Sequence, residues 1–327
     1  MLKNGFDHLD EIMKAYRRTN VLFAAYQLGI LDKLSRQAVD AHSLAGEINI
    51  SHKGLLRLLS ALCAMGVLLK KGNKYVVSAD HKKYLDPDSA NYIGGLIKHE
   101  IHLQNRWMQL SKSVKTGNPI KNIHEKVKLQ DTKRFINAMA NIGQRSAPVM
   151  LDEIRFNGDE HILDLGGGPG KYMEKICSRY PDIQVTLFDQ SETISVAKKL
   201  LMKHKKFKNM HFIAGDFFKD NLGKNYDVIF NSNVIHIFGE KKLQILFNKC
   251  YDALKSFGRL LIKDYFLNND YTGPEFSSLF SIHMLLSTEE GKCYSEKDMI
   301  MMIEKSHFKY SKTIDLTESS KIIECIK

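Results

Sequence analysis

Apolar positions recur at helical spacing over almost all of residues 7–115. In SHKGLLRLLSALCAMG, Leu55, Leu56, Leu58, Leu59, Leu62 and Met65 form one broad stripe, Ser51 is placed to cap the helix and Gly66 to end it. The preceding AHSLAGEINI reads as a short helix and turn. The following VLLKKGNKYVV reads as two extended runs joined by a polar Gly-Asn turn, a hairpin. Helix, turn, helix and hairpin make a winged helix, and the obvious use of a winged helix is DNA binding. The helix that would enter the groove, however, offers only His52, Lys53, Arg57, Ser60 and Ala61 outside its stripe, which is thin for reading bases and gripping phosphates. Its neighbours NVLFAAYQLGILDKL and YIGGLIKHEIHLQNRWMQL are more apolar than a lone small domain needs, so packing and a dimer interface are the expectation. Residues 116–130 lose periodicity and read as a connection or flap, and DTKRFINAMANIGQRSAPVML as a further helix.

From His161 the pattern switches to strands alternating with helices: HILDLGGG, a helix through Tyr180, QVTLFDQ, a helix from Ser191, MHFIAGD, YDVIFNSNVI, a helix from Lys241 to Leu254, and GRLLIKDYFL. Such alternation predicts a parallel sheet covered on both faces, with ligands at the carboxyl ends of the strands. FKYSKTIDLTESSKIIECIK reads as a final hairpin that gives the sheet an antiparallel edge strand.

The glycines of ILDLGGGPGKY decide among ligands. They fall at Gly166, Gly167, Gly168 and Gly170, and Lys171 stands where a dinucleotide fingerprint needs its third glycine. There is no G-K-[ST] for a phosphate loop. Asp164, just before the glycines, is awkward beside phosphate but suits a cation such as the sulfonium and ammonium of S-adenosylmethionine. Asp189 closes the next strand, where a carboxylate accepts from both ribose hydroxyls. Asp216 in AGDFF is placed to accept from an adenine amino group while Phe217 stacks on the ring. Each acid alone reads equally well as a strand end or helix cap; three on successive strand ends point together to this cofactor.

Composition narrows the class further. With 327 residues, 43% hydrophobic and 26% charged, the chain is an ordinary globular protein too long for one comfortable core. Its net charge of +11 and pI near 9.2 raise the question of a polyanionic partner, yet the basic residues are scattered, and the densest run, Lys203 to Lys208, reads as a solvated helix end. Cys63, Cys177, Cys250, Cys293 and Cys325 are far apart without a C-x-x-C pair, which argues against zinc and a disulfide framework and for a reducing compartment. The amphipathic N-terminus lacks a signal-peptide core, and no segment approaches the roughly 18 apolar residues that span a bilayer. A cytoplasmic protein without membrane, metal or nucleic-acid partner is the expectation. The absence of N-P-P-[YFW] or D-P-P-[YFW] argues against methylation of nucleic-acid bases.

On LFAAYQLGILDKL, DLGGGPGKY, AGDFF and NVIHIFGEKKLQILFNKCYDALKSFGRLLIKDY, the chain resembles the S-adenosylmethionine-dependent O-methyltransferases of the caffeic acid and hydroxyindole O-methyltransferase family. The resemblance implies a class I methyltransferase domain, a Rossmann-like doubly wound α/β sheet with an antiparallel final strand, preceded by a mostly helical winged-helix dimerisation domain. Domain limits of 1–115, 116–150 (connecting helices) and 151–327 follow. It also implies a homodimer, a small-molecule acceptor, and His236 as the base that takes the acceptor's hydroxyl proton, with Asp264 orienting it. Moving that proton as the methyl transfers is typically worth about 10² to 10⁴ in rate; the competing reading of His236 is a histidine of the core. Cofactor contacts are expected at Asp164, Gly166, Gly168, Asp189, Asp216, Phe217 and Ser232. An apolar acceptor pocket is expected from Trp107, Phe135, Met139, His283 and Met284, each of which reads singly as core.

Three departures stand out. Ile237 and Phe238 replace the Asp-Trp that follows the histidine in the plant enzymes, Cys293 stands at their second glutamate, and Ser232 at a lysine that touches the cofactor. Cys293 is expected to line the pocket as an inert thiol, since methyl transfer from a sulfonium needs no covalent intermediate. The lost acid leaves room for carbon, nitrogen or sulfur acceptors held in place without a base. A non-catalytic winged-helix regulator that senses S-adenosylmethionine is the reading from another class.

Overall fold

The computed structural model describes residues 4–120, 129–201 and 209–327; the Lys203 to Lys208 run and much of the 116–130 connection lie outside them. The chain divides into two compact units, Met1–Ile101 and His102–Lys327.

The first unit comprises α1 (Gly5–Gln27), α2 (Ile30–Arg36), β1 (Val39–Asp40), α3 (Ala41–Glu47), α4 (His52–Ala64), β2 (Leu68–Lys71), β3 (Lys74–Val77), α5 (Ala79–Leu85) and the start of α6 (Gly94–Trp107). Ser51 caps α4 by accepting from the Gly54 amide at 3.3 Å, and Gly66 leaves the helix at φ +75°. Of the α4 stripe, Leu55, Leu59 and Leu62 are buried, one i, i+4, i+7 face, while Leu56 is exposed. β2 and β3 pair antiparallel around Gly72 and Asn73, giving the wing.

The apolar surplus of the first segment named from the sequence is largely internal. In NVLFAAYQLGILDKL, Phe23, Ala25, Ile30, Leu31 and Leu34 are buried in the unit's own core. Within this unit a row of open apolar side chains lies on the first half of α1, where Phe6, Leu9, Ile12, Met13 and Tyr16 are 58–72% exposed; in the second segment Met108 is 81% exposed. The spacing of the α1 row puts it on one side of the helix.

The second unit holds the rest of α6, α7 (Leu110–Thr116), α8 (Leu129–Glu153), β4 (His161–Leu165), α9 (Lys171–Arg179), β5 (Gln184–Asp189), α10 (Ser191–Leu201), β6 (Met210–Ala214) and β7 (Tyr226–Ser232). A short 3-10 turn (Ile235–Ile237) follows, then α11 (Glu240–Ala253), β8 (Leu254–Tyr265), α12 (Glu275–Ser287), α13 (Glu296–Glu304), β9 (Lys309–Asp315) and β10 (Ser320–Ile326).

The sheet order is β6-β5-β4-β7-β8-β10-β9, parallel from β6 to β8. β10 is antiparallel to both β8 and β9. The final hairpin therefore supplies the antiparallel strand, but as an insertion: β10, with its run Ile322, Ile323 and Cys325 fully buried, sits inside the sheet, and β9, largely exposed, takes the edge. Period-two alternation feeds two cores, Leu260 and Ile262 of β8 joining one and Leu261 the other. The strand order reverses between β4 and β7, and a crevice at their carboxyl ends is where such sheets take ligands.

Candidate active site

At the end of β4 the chain turns through glycines, and at Gly166 and Gly167 no side chain would fit. Gly166 has φ +74°, and a Cβ there would lie 2.7 Å from Val234 Cγ2; one on Gly167 would lie 2.4 Å from Asp164 Oδ2 and 2.8 Å from Leu187 Cγ. The turn is pinned to β5 twice: the Gly166 amide donates to the Phe188 carbonyl at 2.8 Å and the Gly168 amide to Asp189 Oδ2 at 2.8 Å. No heavy atom lies within 4 Å of a Cβ built on Gly168, which leaves the rim of the turn open. Asp164 lies beneath it, 2% exposed, and its Oδ2 has no hydrogen-bond partner. Burial first and the nearby Asp189 second push its carboxyl up to about 8, so without a cation it holds its proton at neutral pH.

Asp189 closes β5. Besides Gly168, the Gln190 amide donates to it at 2.7 Å; burial raises its carboxyl, and these amides and Thr193 oppose the rise. Asp216 follows β6 as an open turn carboxylate, held below its ordinary range by the Phe218 amide it accepts from at 2.9 Å and by Lys219. Phe217 beside it packs in a knot with Phe218 and Phe238 at centroid distances of 4.8 and 5.8 Å. Lys249 of α11 donates to the carbonyls of Phe217 and Asp220, both at 2.6 Å, and ties this turn down. Ser232 ends β7 with its hydroxyl buried and unpartnered.

Across the crevice, His236 occupies the 3-10 turn and Asp264 lies near the end of β8. The His236 Nδ1 to Asp264 Oδ1 distance is 2.7 Å, with the two residues 6% and 1% exposed. The same Oδ1 accepts from the Tyr265 amide at 2.8 Å, while Oδ2 is buried without a partner. The edge of His236 meets the Phe280 ring at 4.8 Å and 88°. Phe280 in turn contacts Tyr265 at 4.9 Å and His283 at 5.6 Å, and Trp107 lies parallel to His283 at 6.4 Å, making a continuous aromatic wall. Burial, Arg106 and His236 push the His283 imidazole down to about 4, so it is neutral at physiological pH. Cys293 is buried, its thiol raised by burial and by the charge of Asp264, which fits an unreactive lining group.

The structure thus gathers His236, Asp264, His283, Cys293 and Trp107 into one neighbourhood, with Met284 buried on the same helix as His283. Phe135 is 45% exposed on α8 and Met139 half-buried. Sequence reasoning missed Phe280 and Tyr265, which build the wall, and Lys263, which is almost wholly buried beside the crevice. The i, i+4 pair Phe276 and Phe280 on α12 was a readable signal; a buried lysine was not.

This arrangement has known counterparts. An O-methyltransferase domain model matches residues 113–309, and an O-methyltransferase dimerisation-domain model matches residues 10–84. The chain belongs to the O-methyltransferase family. A 3-hydroxy-5-methyl-1-naphthoate 3-O-methyltransferase of Streptomyces sahachiroi is 25% identical over 286 residues, 86% of this chain and 83% of that protein. An acetylserotonin O-methyltransferase of Macaca mulatta is 26% identical over 307 residues, 88% of each chain. Human N-acetylserotonin methyltransferase, solved in complex with S-adenosylmethionine, superposes with a TM-score of 0.89 over 99% of this chain and 98% of its own, at 24% identity. As an O-methyltransferase, the chain is an enzyme whose relatives share both its helical N-terminal unit and its mostly parallel sheet. Among the described residues no helix is long and apolar enough to cross a membrane.

Proposed function

We propose that this O-methyltransferase moves the methyl group of S-adenosylmethionine to a hydroxyl of a small, flat aromatic acceptor, with His236 as general base and Asp264 as its positioning residue. The observation that carries the reading is the 2.7 Å His236–Asp264 contact at the carboxyl ends of β7 and β8, against an aromatic wall and beside the glycine turn.

The residues present suit the cofactor. The unpartnered Asp164 Oδ2 and Ser232 hydroxyl are polar groups awaiting partners, and the tight turn at Gly166 and Gly168 leaves a backbone rim free of side chains. Asp164 is the counter-charge for the ammonium end. Asp189 holds the ribose, and Asp216 with Phe217 holds the adenine. When bound, S-adenosylmethionine supplies an electrophilic methyl group on a sulfonium.

Asp264, accepting from Nδ1–H, holds the imidazole in the tautomer whose Nε2 carries the lone pair. Nε2 then takes the acceptor's proton, and Asp264 stabilises the imidazolium. Trp107, Phe135, Met139, His283, Met284 and Cys293 form the proposed lining, the neutral His283 and the thiol adding no charge to a pocket meant for an apolar ring. The names of the relatives, acting on a hydroxynaphthoate and on acetylserotonin, favour phenolic and indolic hydroxyls. The N-terminal unit serves dimerisation through α1.

The test is product mass spectrometry with methyl-labelled S-adenosylmethionine on a panel of phenols, hydroxyindoles and hydroxyquinones. A labelled methyl ether is the expected product. A labelled carbon, nitrogen or sulfur product, made equally fast by His236→Ala, would replace base catalysis with positioning alone.

A further inference from the structure

Lys263 is a basic side chain buried where, among the described residues, no anion meets it. It lies on β8, 2% exposed, among the largest fully buried side chains of the protein. Its ammonium donates to Asn233 Oδ1 at 3.1 Å and stands over the rings of Tyr172 and Tyr265 at 5.9 and 5.2 Å. Among the described residues it has no carboxylate partner. One amide oxygen and two ring faces leave two of its three N–H donors without an acceptor, a poor exchange for hydration.

Its neighbours are donors too. Lys263 is the direct strand partner of Ser232, so the two side chains leave the sheet on one face, and the Ser232 hydroxyl is buried and unpartnered. Asn233, in the left-handed region at φ +57°, is fixed by its amide donating to the Lys263 carbonyl at 2.8 Å and spends its side-chain oxygen on the ammonium. Its Nδ2 is then a further donor beside the other two. Asp164, the orphaned acid, issues from the same sheet face: Ile162, Phe230 and Leu261, each two residues before Asp164, Ser232 and Lys263, share one core.

We infer that Lys263, with Ser232 and Asn233, binds the carboxylate of the methionine end of S-adenosylmethionine, while Asp164 faces its ammonium. The inference rests on the cofactor reading above and deepens it: a buried cation without an anion and a buried acid without a hydrogen-bond partner on Oδ2 lie on one sheet face at the β4/β7 crevice, and the two ends of one zwitterion would satisfy both. A purely structural role, Lys263 holding Asn233 in its strained conformation, is the alternative.

Calorimetry on the full chain separates them, with S-adenosylmethionine and its decarboxylated analogue as probes. The wild-type protein should bind S-adenosylmethionine more tightly than the analogue, on the order of tenfold for a charge-assisted contact. Lys263→Met should weaken S-adenosylmethionine by a similar factor and leave the analogue within about twofold, so that the variant no longer distinguishes the two. Ser232→Ala should show the same pattern with a smaller loss. Equal weakening of both probes assigns Lys263 to structure and overturns the inference, as does a wild-type protein that binds both alike, a result that needs no variant to fold. An unchanged affinity for S-adenosylmethionine with a loss confined to acceptor KM overturns it in favour of an anionic acceptor. Failure of the wild type to bind either probe removes the cofactor reading itself, and this inference with it.

Discussion

His236 Nδ1 and Asp264 Oδ1 stand 2.7 Å apart although 28 residues separate them, because β7 and β8 are adjacent parallel strands whose carboxyl ends lie side by side. If the imidazole is the base, His236→Ala should lower kcat by about 10² or more with little change in cofactor affinity, since it acts on the acceptor's proton. Asp264→Asn should do less harm, because it disturbs the tautomer while leaving the imidazole. Steady-state kinetics and calorimetry on the same preparations check both; wild-type turnover in His236→Ala would make the histidine structural.

Asp164 predicts a pH signature. Its carboxyl titrates at about 8 in the folded state against 3.8 ordinarily, so between those values the folded state binds the extra proton, and ligand-free stability falls as pH rises. Asp164→Asn should therefore flatten the decline in Tm between about pH 4 and 8 relative to wild type. Pairing with an ammonium favours the ionised form, so cofactor binding at pH 7 should release a proton, on the order of one per site. Binding heats that do not depend on the buffer's ionisation enthalpy would contradict this.

Asp189 supplies a direct test of the ribose assignment. Asp189→Ala should weaken cofactor binding about tenfold or more, through lost charge-assisted bonds and a Gly168 amide left without its acceptor. An unchanged dissociation constant in calorimetry would remove Asp189 from the site.

The glycine turn can be probed without ligand. Gly167→Ala places a methyl group 2.4 Å from Asp164 Oδ2 and should cost roughly 1–3 kcal/mol in denaturant unfolding. Gly168→Ala meets no crowding atom but carries the strain of a side chain at φ +54°, roughly 1–2 kcal/mol, and should also impair cofactor binding, because its methyl projects from the open rim.

The apolar row of α1 should be the heart of a homodimer interface burying more than about 2,000 Å². Wild-type protein should sediment as a dimer at micromolar concentration. The pair Leu9→Glu and Met13→Glu should give a folded monomer, with circular dichroism unchanged. A dimer that survives both substitutions would move the interface elsewhere.

Much of the architecture was legible along the chain. The wing hairpin around Gly72 and Asn73, the Ser51 cap, the glycine turn and the alternation of strands and helices from His161 onward are set by near neighbours: turn residues, caps and spacing. These yielded the doubly wound sheet and pointed to S-adenosylmethionine. Patterns of this kind state that a face is apolar and leave open what covers it. The run from Val21 to Leu34 and the start of α1 are both apolar, and only packing buries the first and exposes the second. The final hairpin was readable, but not that β10 enters between β8 and β9, because strand order depends on partners far away in the chain. The unpartnered oxygens of Asp164 and Asp264, the wall around Phe280 and the buried ammonium of Lys263 belong to the same class. Periodicity assigns each side chain a direction, whereas its charge state, its solvent and its missing partner exist only once distant strands have closed over it.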